Sequence, residues 1–274
     1  MKKIILRLLQ GTLIGVGAVL PGISGGVLCV VFGIYQPIMQ LLSHPVKAIK
    51  EYAGLLIPVV VGIGIGFMGI SKLLGFFLTK YPDPSVCLFV GLILGMLPSL
   101  FREAGQQGRG KGSFLSLGVS FAVVLLLLFG LQAIQVSILP NVWWYLFCGF
   151  CIALSVIAPG MSFSTLLMPL GLYTPLVEGI GNLDMCVILP AGIGAMVTVI
   201  LFAKLVTSLM ERYYAVLFHG IIGVVTAATI IIIPFHSFTE GLHVCATNVL
   251  CLAIGIAAAF LLDKWNNKFE NLNN

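Results

Sequence analysis

From Gly112 to Val177 the chain carries no Asp, Glu, Lys or Arg. About 20 apolar residues are enough to span the hydrocarbon of a bilayer, so this uncharged run holds more than one membrane segment. The remainder has the same character. Of 274 residues, 59% are apolar and 8% charged, with 14 bases against 9 acids and a net charge of +5. Soluble domains carry roughly 25% charged residues, and so few charges cannot cover a water-soluble globule of this size. The composition excludes a soluble enzyme, a disordered protein and a nucleic-acid binder, and it points to a polytopic membrane protein.

Lys2, Lys3 and Arg7 precede the first apolar stretch, as in a signal peptide. No small-residue cleavage site leads into a soluble chain, so the expectation is a retained anchor. Apolar segments fall at about 11–42, 53–79, 86–101, 114–134, 143–177, 186–210, 216–235 and 244–262. The segment 86–101 is short and is expected to end at Pro98. Segments 11–42 and 143–177 are too long for a simple crossing, and Pro-Gly breaks each near its middle. Read as hairpins that enter and leave on one side, they place 12 of the 14 bases on the side of the N-terminus, leaving Lys72 and Lys80 opposite. Read as full crossings, they give a split of 9 to 5. Basic loops stay in the cytoplasm, so the hairpin topology is preferred. It has six crossings, two re-entrant hairpins and both termini in the cytoplasm.

The broken segments align without gaps. Residues 11–38 match 149–176 at an offset of 138, with nine of 28 positions identical, among them Gly11, Pro21, Gly22, Ser24, Gly33, Tyr35 and Pro37. The following segments align at an offset of 132, pairing Pro58 with Pro190, Gly62 with Gly194, Lys72 with Lys204 and Tyr81 with Tyr213. The expected fold is an all-α integral membrane protein built as an inverted repeat. Residues 1–142 form one half and 143–274 the other, each with one hairpin and three transmembrane helices. Three crossings per half is an odd number, so the halves point in opposite directions. Transporters use this arrangement, with binding near the midplane where broken helices meet.

Proline stops a helix by removing a donor and crowding the turn before it. After Pro21-Gly22 and Pro159-Gly160, Ser24 and Ser162 stand where an N-cap belongs. Gly25 and Gly26 follow in the first copy and Ser164 in the second. A helix starting there aims unpaired N–H groups at the hairpin tip, an anion site made without a formal charge. The bland alternative is that these small residues serve helix packing. Lys72 and Lys204 are the best charged companions, read either as phosphate contacts or as side chains snorkelling from helix ends. Tyr35 and Tyr173, two residues after Gly33 and Gly171, are either interfacial aromatics or hydroxyls that reach the ligand.

Other signals lead nowhere. Cys148-x-x-Cys151 has no second pair, and seven cysteines do not make a disulfide framework. The histidines show no ligand spacing, so no metal and no cofactor is expected. His219 reads as a polar group inside the bundle. Glu178 and Asp184 read as a solvated loop, and Arg102, Arg109 and Lys111 as a loop that sets orientation.

The repeated Pro-Gly-x-Ser followed by Gly-x-Tyr, in PGISGG with FGIYQPI and in APGMS with LGLYTPL, resembles the polyprenyl-phosphate translocase family. So does the SKLLGFFLTKYP stretch, and the resemblance covers about 4–262. The chain departs from the usual pattern at Ala18, Val27, Gln36, Phe163 and Thr174. The resemblance implies a multi-pass flippase of the bacterial inner membrane. Its partner is a polyprenyl phosphate lipid, undecaprenyl phosphate, returned from the outer to the cytoplasmic leaflet for peptidoglycan and other envelope polymers. The substrate-binding residues expected from the reading of the broken helices are those of the two hairpins, with Lys72 and Lys204. An undecaprenyl-diphosphate phosphatase is the enzymatic alternative, but hydrolysis calls for carboxylates and an arginine at the hairpins, and neither occurs there. A carrier of a small soluble anion is the other alternative. Assembly into homo-oligomers is left open.

Overall fold

The structure is a computed structural model that describes residues 2–20, 25, 28–29, 32, 34, 37–38, 40–41, 45–133, 138–157 and 162–273. At some helical positions, Lys204 among them, only the backbone is described. The described residues form helices and turns and no strand. α1 runs Lys2–Val19, α2 Pro45–Lys80, α3 Pro82–Ala104, α4 Lys111–Ala133, α5 Val142–Ile157, α6 Phe163–Leu167, α7 Tyr173–Gly181, α8 Met185–Ile232 and α9 Leu242–Asn273, with a 3-10 turn at Phe235–Thr239 before α9. Among the described residues, six helical stretches can cross a membrane by length and composition: Lys47–Lys80, Pro82–Ala104, Lys111–Gly130, Met185–Phe202, Arg212–Ile232 and Leu242–Leu261. Ile4–Val19 and Val142–Ile157 are apolar but shorter.

Two boundaries differ from expectation. α3 continues through Pro98 to Ala104. A proline inside a membrane helix is tolerated because neighbouring groups satisfy the carbonyl it frees. The segments expected at 186–210 and 216–235 form one 48-residue run, α8. Straight, it would measure about 72 Å at 1.5 Å per residue, far beyond a hydrocarbon core of about 30 Å. The run breaks at Tyr213, whose backbone is non-helical at φ −129 and ψ 33. Tyr81, 132 residues earlier, separates α2 from α3 with φ −136 and ψ 65. Pro58 and Pro190, also paired by that offset, both lie inside helices.

The chain divides into two compact units, and each draws on both sequence halves. The first comprises Met1–Phe76, Pro140–Ser164 and Pro175–Thr207. The second comprises Phe77–Leu139, Thr165–Thr174 and Ser208–Asn274.

Glycines set the packing inside the first unit. A side chain at Gly11 would overlap the carbonyl of Val59, and one at Gly62 the carbonyl of Leu8. Gly15 meets Ile63 and Gly66 meets Thr12 in the same way. The partner positions rise together along α1 and α2, so these helices run parallel with backbones in contact. Such contact is what small residues allow where lipid provides no hydrophobic drive. The pair α5 and α8 repeats the pattern: Gly149 meets the carbonyl of Ala191, and Gly194 that of Leu146. These positions follow the first set by 138 on the α1 side and 132 on the α2 side.

The second unit contains a further recurring pair. On α3 and α9, Gly91 meets the carbonyl of Leu252 and Gly255 that of Leu88. On α8 and α4, Gly223 meets the carbonyl of Leu117, and the Ser120 hydroxyl donates to the carbonyl of Gly220 at 2.8 Å. The offsets are 132 for α3 onto α8 and 135 for α4 onto α9. Each late helix of one half therefore packs on the partner from the other half. α3 and α9 also run parallel, and an ion pair of Arg102 with Asp263 at 2.5 Å joins their C-terminal parts.

Candidate functional site

Of the expected site residues, Pro21, Gly22, Ser24, Gly26, Tyr35, Pro159 and Gly160 lie outside the described residues. The second copy supplies most of the geometry. Ser162 and Ser164 are buried, and their hydroxyl oxygens stand 2.6 Å apart, a hydrogen bond. Phe163 between them stacks on Phe67 of α2, ring centres 6.1 Å apart. Residue 163 thus anchors the start of α6 while its neighbours pair their hydroxyls. α6 has only five residues. The long dipole expected of a helix starting here is absent, and the described polar groups at this point are the two paired hydroxyls.

A helix-ending motif explains the Gly-x-Tyr element. The Gly171 amide donates to Met168 O at 3.0 Å, and the Leu172 amide to Leu167 O at 3.1 Å. Gly171 has φ +69. This is a Schellman end, which needs a left-handed residue at the position after the cap. In the first copy the Ile34 amide donates to Cys29 O at 2.8 Å, the same span of chain 138 residues earlier. Gly33 itself is outside the described residues. Gly171→Ala introduces a Cβ with nothing within 4 Å, so its cost is confined to backbone strain of about 1–2 kcal/mol. A modest fall in thermal stability, with transport retained, is the expected measurement.

Tyr173, at the start of α7, is fully buried, with its ring edge on Phe89 of α3 at 6.2 Å and 89°. It is a core residue rather than an interfacial aromatic. Gly25 is helical, and a Cβ on it would stand 3.0 Å from the Cβ of Ala18 and 3.1 Å from Ile14 O. What approaches Gly25 closely is therefore α1, the preceding arm of the same segment. Ile14, Cys29, Ile34 and Val59 share one buried cluster, so the two arms of the first segment pack on each other and on α2.

Lys72 is exposed and eight residues short of the end of α2. At 1.5 Å per residue that is about 12 Å inside the helix, deeper than a terminal snorkelling lysine. Its backbone is clamped by α7: a Cβ at Gly181 would stand 2.6 Å from Lys72 Cα. Lys204 is placed in α8 by its backbone alone.

Two polar residues beside this site were not legible as such. Ser71, on α2 one turn after Phe67, is wholly buried, and its hydroxyl has no hydrogen-bond partner among the described residues. Only its adjacency to Lys72 could have flagged it. Glu178 was expected in a solvated loop, but it lies on α7 and is half-buried. A Cβ at Gly75 would stand 2.9 Å from Glu178 Cγ, so that glycine makes room for the acid. Asp184 does remain in an exposed turn, where its carboxylate accepts the Cys186 amide at 2.9 Å and caps α8. His219 is buried in the second unit, with Nδ1 2.7 Å from Ala215 O, its ring against Phe114, and Nε2 without a partner among the described residues.

No group of three or more metal-binding side chains occurs among the described residues. The VCA0040-like family model, described as undecaprenyl phosphate translocase-like, matches residues 14–250. The chain belongs to this family. The match begins inside the first broken segment and includes the whole of the second and every described site residue above. A polyprenyl-phosphate transporter of Vibrio cholerae is 24% identical to this translocase-like chain over 220 residues, 75% of this chain and 70% of that protein. A polyprenyl-phosphate transporter of Staphylococcus aureus is 37% identical over 84 residues, 30% of this chain and 29% of that protein. No solved structure matches. Family and relatives alike are named for transport, which sets this translocase-like chain among transporters and not among enzymes.

Proposed function

We propose that this protein translocates undecaprenyl phosphate across the bacterial inner membrane, from the outer to the cytoplasmic leaflet, so that the carrier can be reused for peptidoglycan and other envelope polymers. The family match over residues 14–250 carries this reading. The phosphate sits at the hairpin tips, against Ser162 and Ser164 in one copy and Ser24 to Gly26 in the other, with Lys72 and Lys204 as counter-charges and Tyr35 beside them. A full charge at the bilayer centre costs several kcal/mol. Buried hydroxyls and amides lower that barrier, and the two lysines add counter-charge.

The transport fold in this reading is an inverted repeat of residues 1–142 and 143–274, each half with a re-entrant hairpin, and with both termini cytoplasmic. The parallel packing of α1 on α2 supports the first hairpin. Had residues 11–42 crossed fully, α2 would run back against α1. The recurrence of the glycine contacts at fixed offsets supports the duplication. Access alternates between the two leaflets as the halves exchange conformation.

Depletion of the protein, followed by surface labelling of undecaprenyl phosphate, tests the function. Outer-leaflet carrier should accumulate several-fold, and an unchanged level would exclude recycling. Reconstitution separates the rivals. A flippase moves the lipid in proteoliposomes, a phosphatase releases phosphate from the diphosphate lipid, and a small-anion carrier takes up soluble phosphate.

A further inference from the structure

Ser71 is wholly buried on α2, and its hydroxyl has no hydrogen-bond partner among the described residues. Other buried hydroxyls on helices of this chain donate to the carbonyl four residues earlier: Thr198 to Gly194 O and Thr229 to Val225 O, each at 2.7 Å. Ser71 has the equivalent carbonyl, that of Phe67, open to it, and does not use it. Its neighbours on α2 show which way it faces. Residues four apart share a helix face, so Phe67, Ser71 and Gly75 line one side of α2. Phe67 stacks on Phe163, and Gly75 makes room for Glu178 of α7. Ser71 stands between them, one turn from the ring stack that Ser162 and Ser164 flank. All of these residues belong to the first unit.

We infer that the Ser71 hydroxyl donates a hydrogen bond to the phosphate group bound by the Ser162–Ser164 pair. Resting on the function proposed above, this adds a third hydroxyl, from α2, to that site. Three observations favour a phosphate as the partner. A buried polar group left unpaired costs stability, and a phosphate oxygen removes that cost when it binds. Ser71, Ser162 and Ser164 are closed off from the surface together, as the groups of one site are in a carrier shut to both leaflets. The charge next to Ser71 on α2 is positive: Lys72 follows it, its backbone held by Gly181 of α7. The Glu178 carboxylate belongs to the next turn of α2, beside Gly75, about 6 Å of helix rise away. A buried bridging water is the competing occupant.

Full-length protein in nanodiscs is titrated with undecaprenyl phosphate, with undecaprenol and with inorganic phosphate, and its melting temperature is recorded. Undecaprenol has the same chain and no phosphate, so it separates contact with the head group from a general loss of fit. The expected result is that Ser71→Ala weakens binding of undecaprenyl phosphate about tenfold. Binding of undecaprenol stays the same, and the melting temperature does not fall. Ser71→Cys, of similar size but a weaker donor, provides the same test should the alanine variant fold poorly. Unchanged binding of undecaprenyl phosphate overturns the contact and leaves the function reading standing. So does an equal loss of both lipids with a lower melting temperature, which assigns Ser71 to packing or to a bridging water. Inorganic phosphate bound in place of the lipid, and weakened by the same substitution, supports the phosphate contact and overturns the lipid reading. Wild-type protein that binds neither phosphate overturns both.

Discussion

Ser162→Ala combined with Ser164→Ala lowers transport of undecaprenyl phosphate in proteoliposomes by tenfold or more, with normal amounts of folded protein in the membrane. The two hydroxyls are buried and bonded to each other at 2.6 Å. Removing one leaves its partner buried and short of that bond, at about 1–3 kcal/mol. Both are therefore removed together, and the amount of folded protein is measured beside transport so that function is read separately from stability. A hydrogen bond to a charged group contributes about 1.5–3 kcal/mol, and each 1.4 kcal/mol is about tenfold in affinity. If the pair serves only to pack the start of α6, the double variant transports at the wild-type rate and the hairpin-tip site is wrong.

Gly149→Leu destabilises the protein by about 3 kcal/mol or more, and Gly192→Leu leaves it unchanged. Both glycines lie in apolar helices, but their surroundings differ completely. A Cβ at Gly149 would run into the carbonyl of Ala191 and the amide of Ala195 on α8, while Gly192 has nothing within 4 Å. The obstacle at Gly149 is backbone, so no side chain can turn aside and the helices must separate. Overpacking of a core commonly costs about 1–3 kcal/mol even when side chains can adjust. At about 2–4 °C per kcal/mol, the melting temperature in detergent falls by about 6–12 °C. Gly11→Leu should behave like Gly149→Leu, since Gly11 meets Val59 as Gly149 meets Ala191. A normal melting temperature for either leucine variant at positions 11 and 149 would refute the parallel contact of that helix pair.

Some of the site could be read in advance and some could not. Ser162 and Ser164 do come together, while Pro159 and Gly160, read as the break before them, lie outside the described residues. Gly171 marked a turn, although its reason, a left-handed end for α6, emerged from backbone bonds. Tyr173 stood between two readings because an aromatic near the end of an apolar segment looks the same in a list of residues whether it faces head groups or Phe89. Glu178 was misjudged because a single acid after a proline-containing segment resembles a loop. Room for it is made by Gly75, a hundred residues away.

Membership in the membrane class, six apolar stretches able to cross and the offset between matching stretches were all present in the order of residues. Each depends on local quantities: the length of an apolar run and identity at a fixed spacing. Which helix lies against which was settled by the folded chain alone. In lipid nearly every face is apolar, so hydrophobic periodicity does not mark the face that will be covered. Glycines select the contacts, but a glycine in sequence does not say whether it meets a backbone, as Gly91 meets Leu252, or open space, as at Gly192. The exchange of partners that sets α3 against α9 and α4 against α8, and the burial of the Ser71 hydroxyl, therefore exist only once distant segments converge.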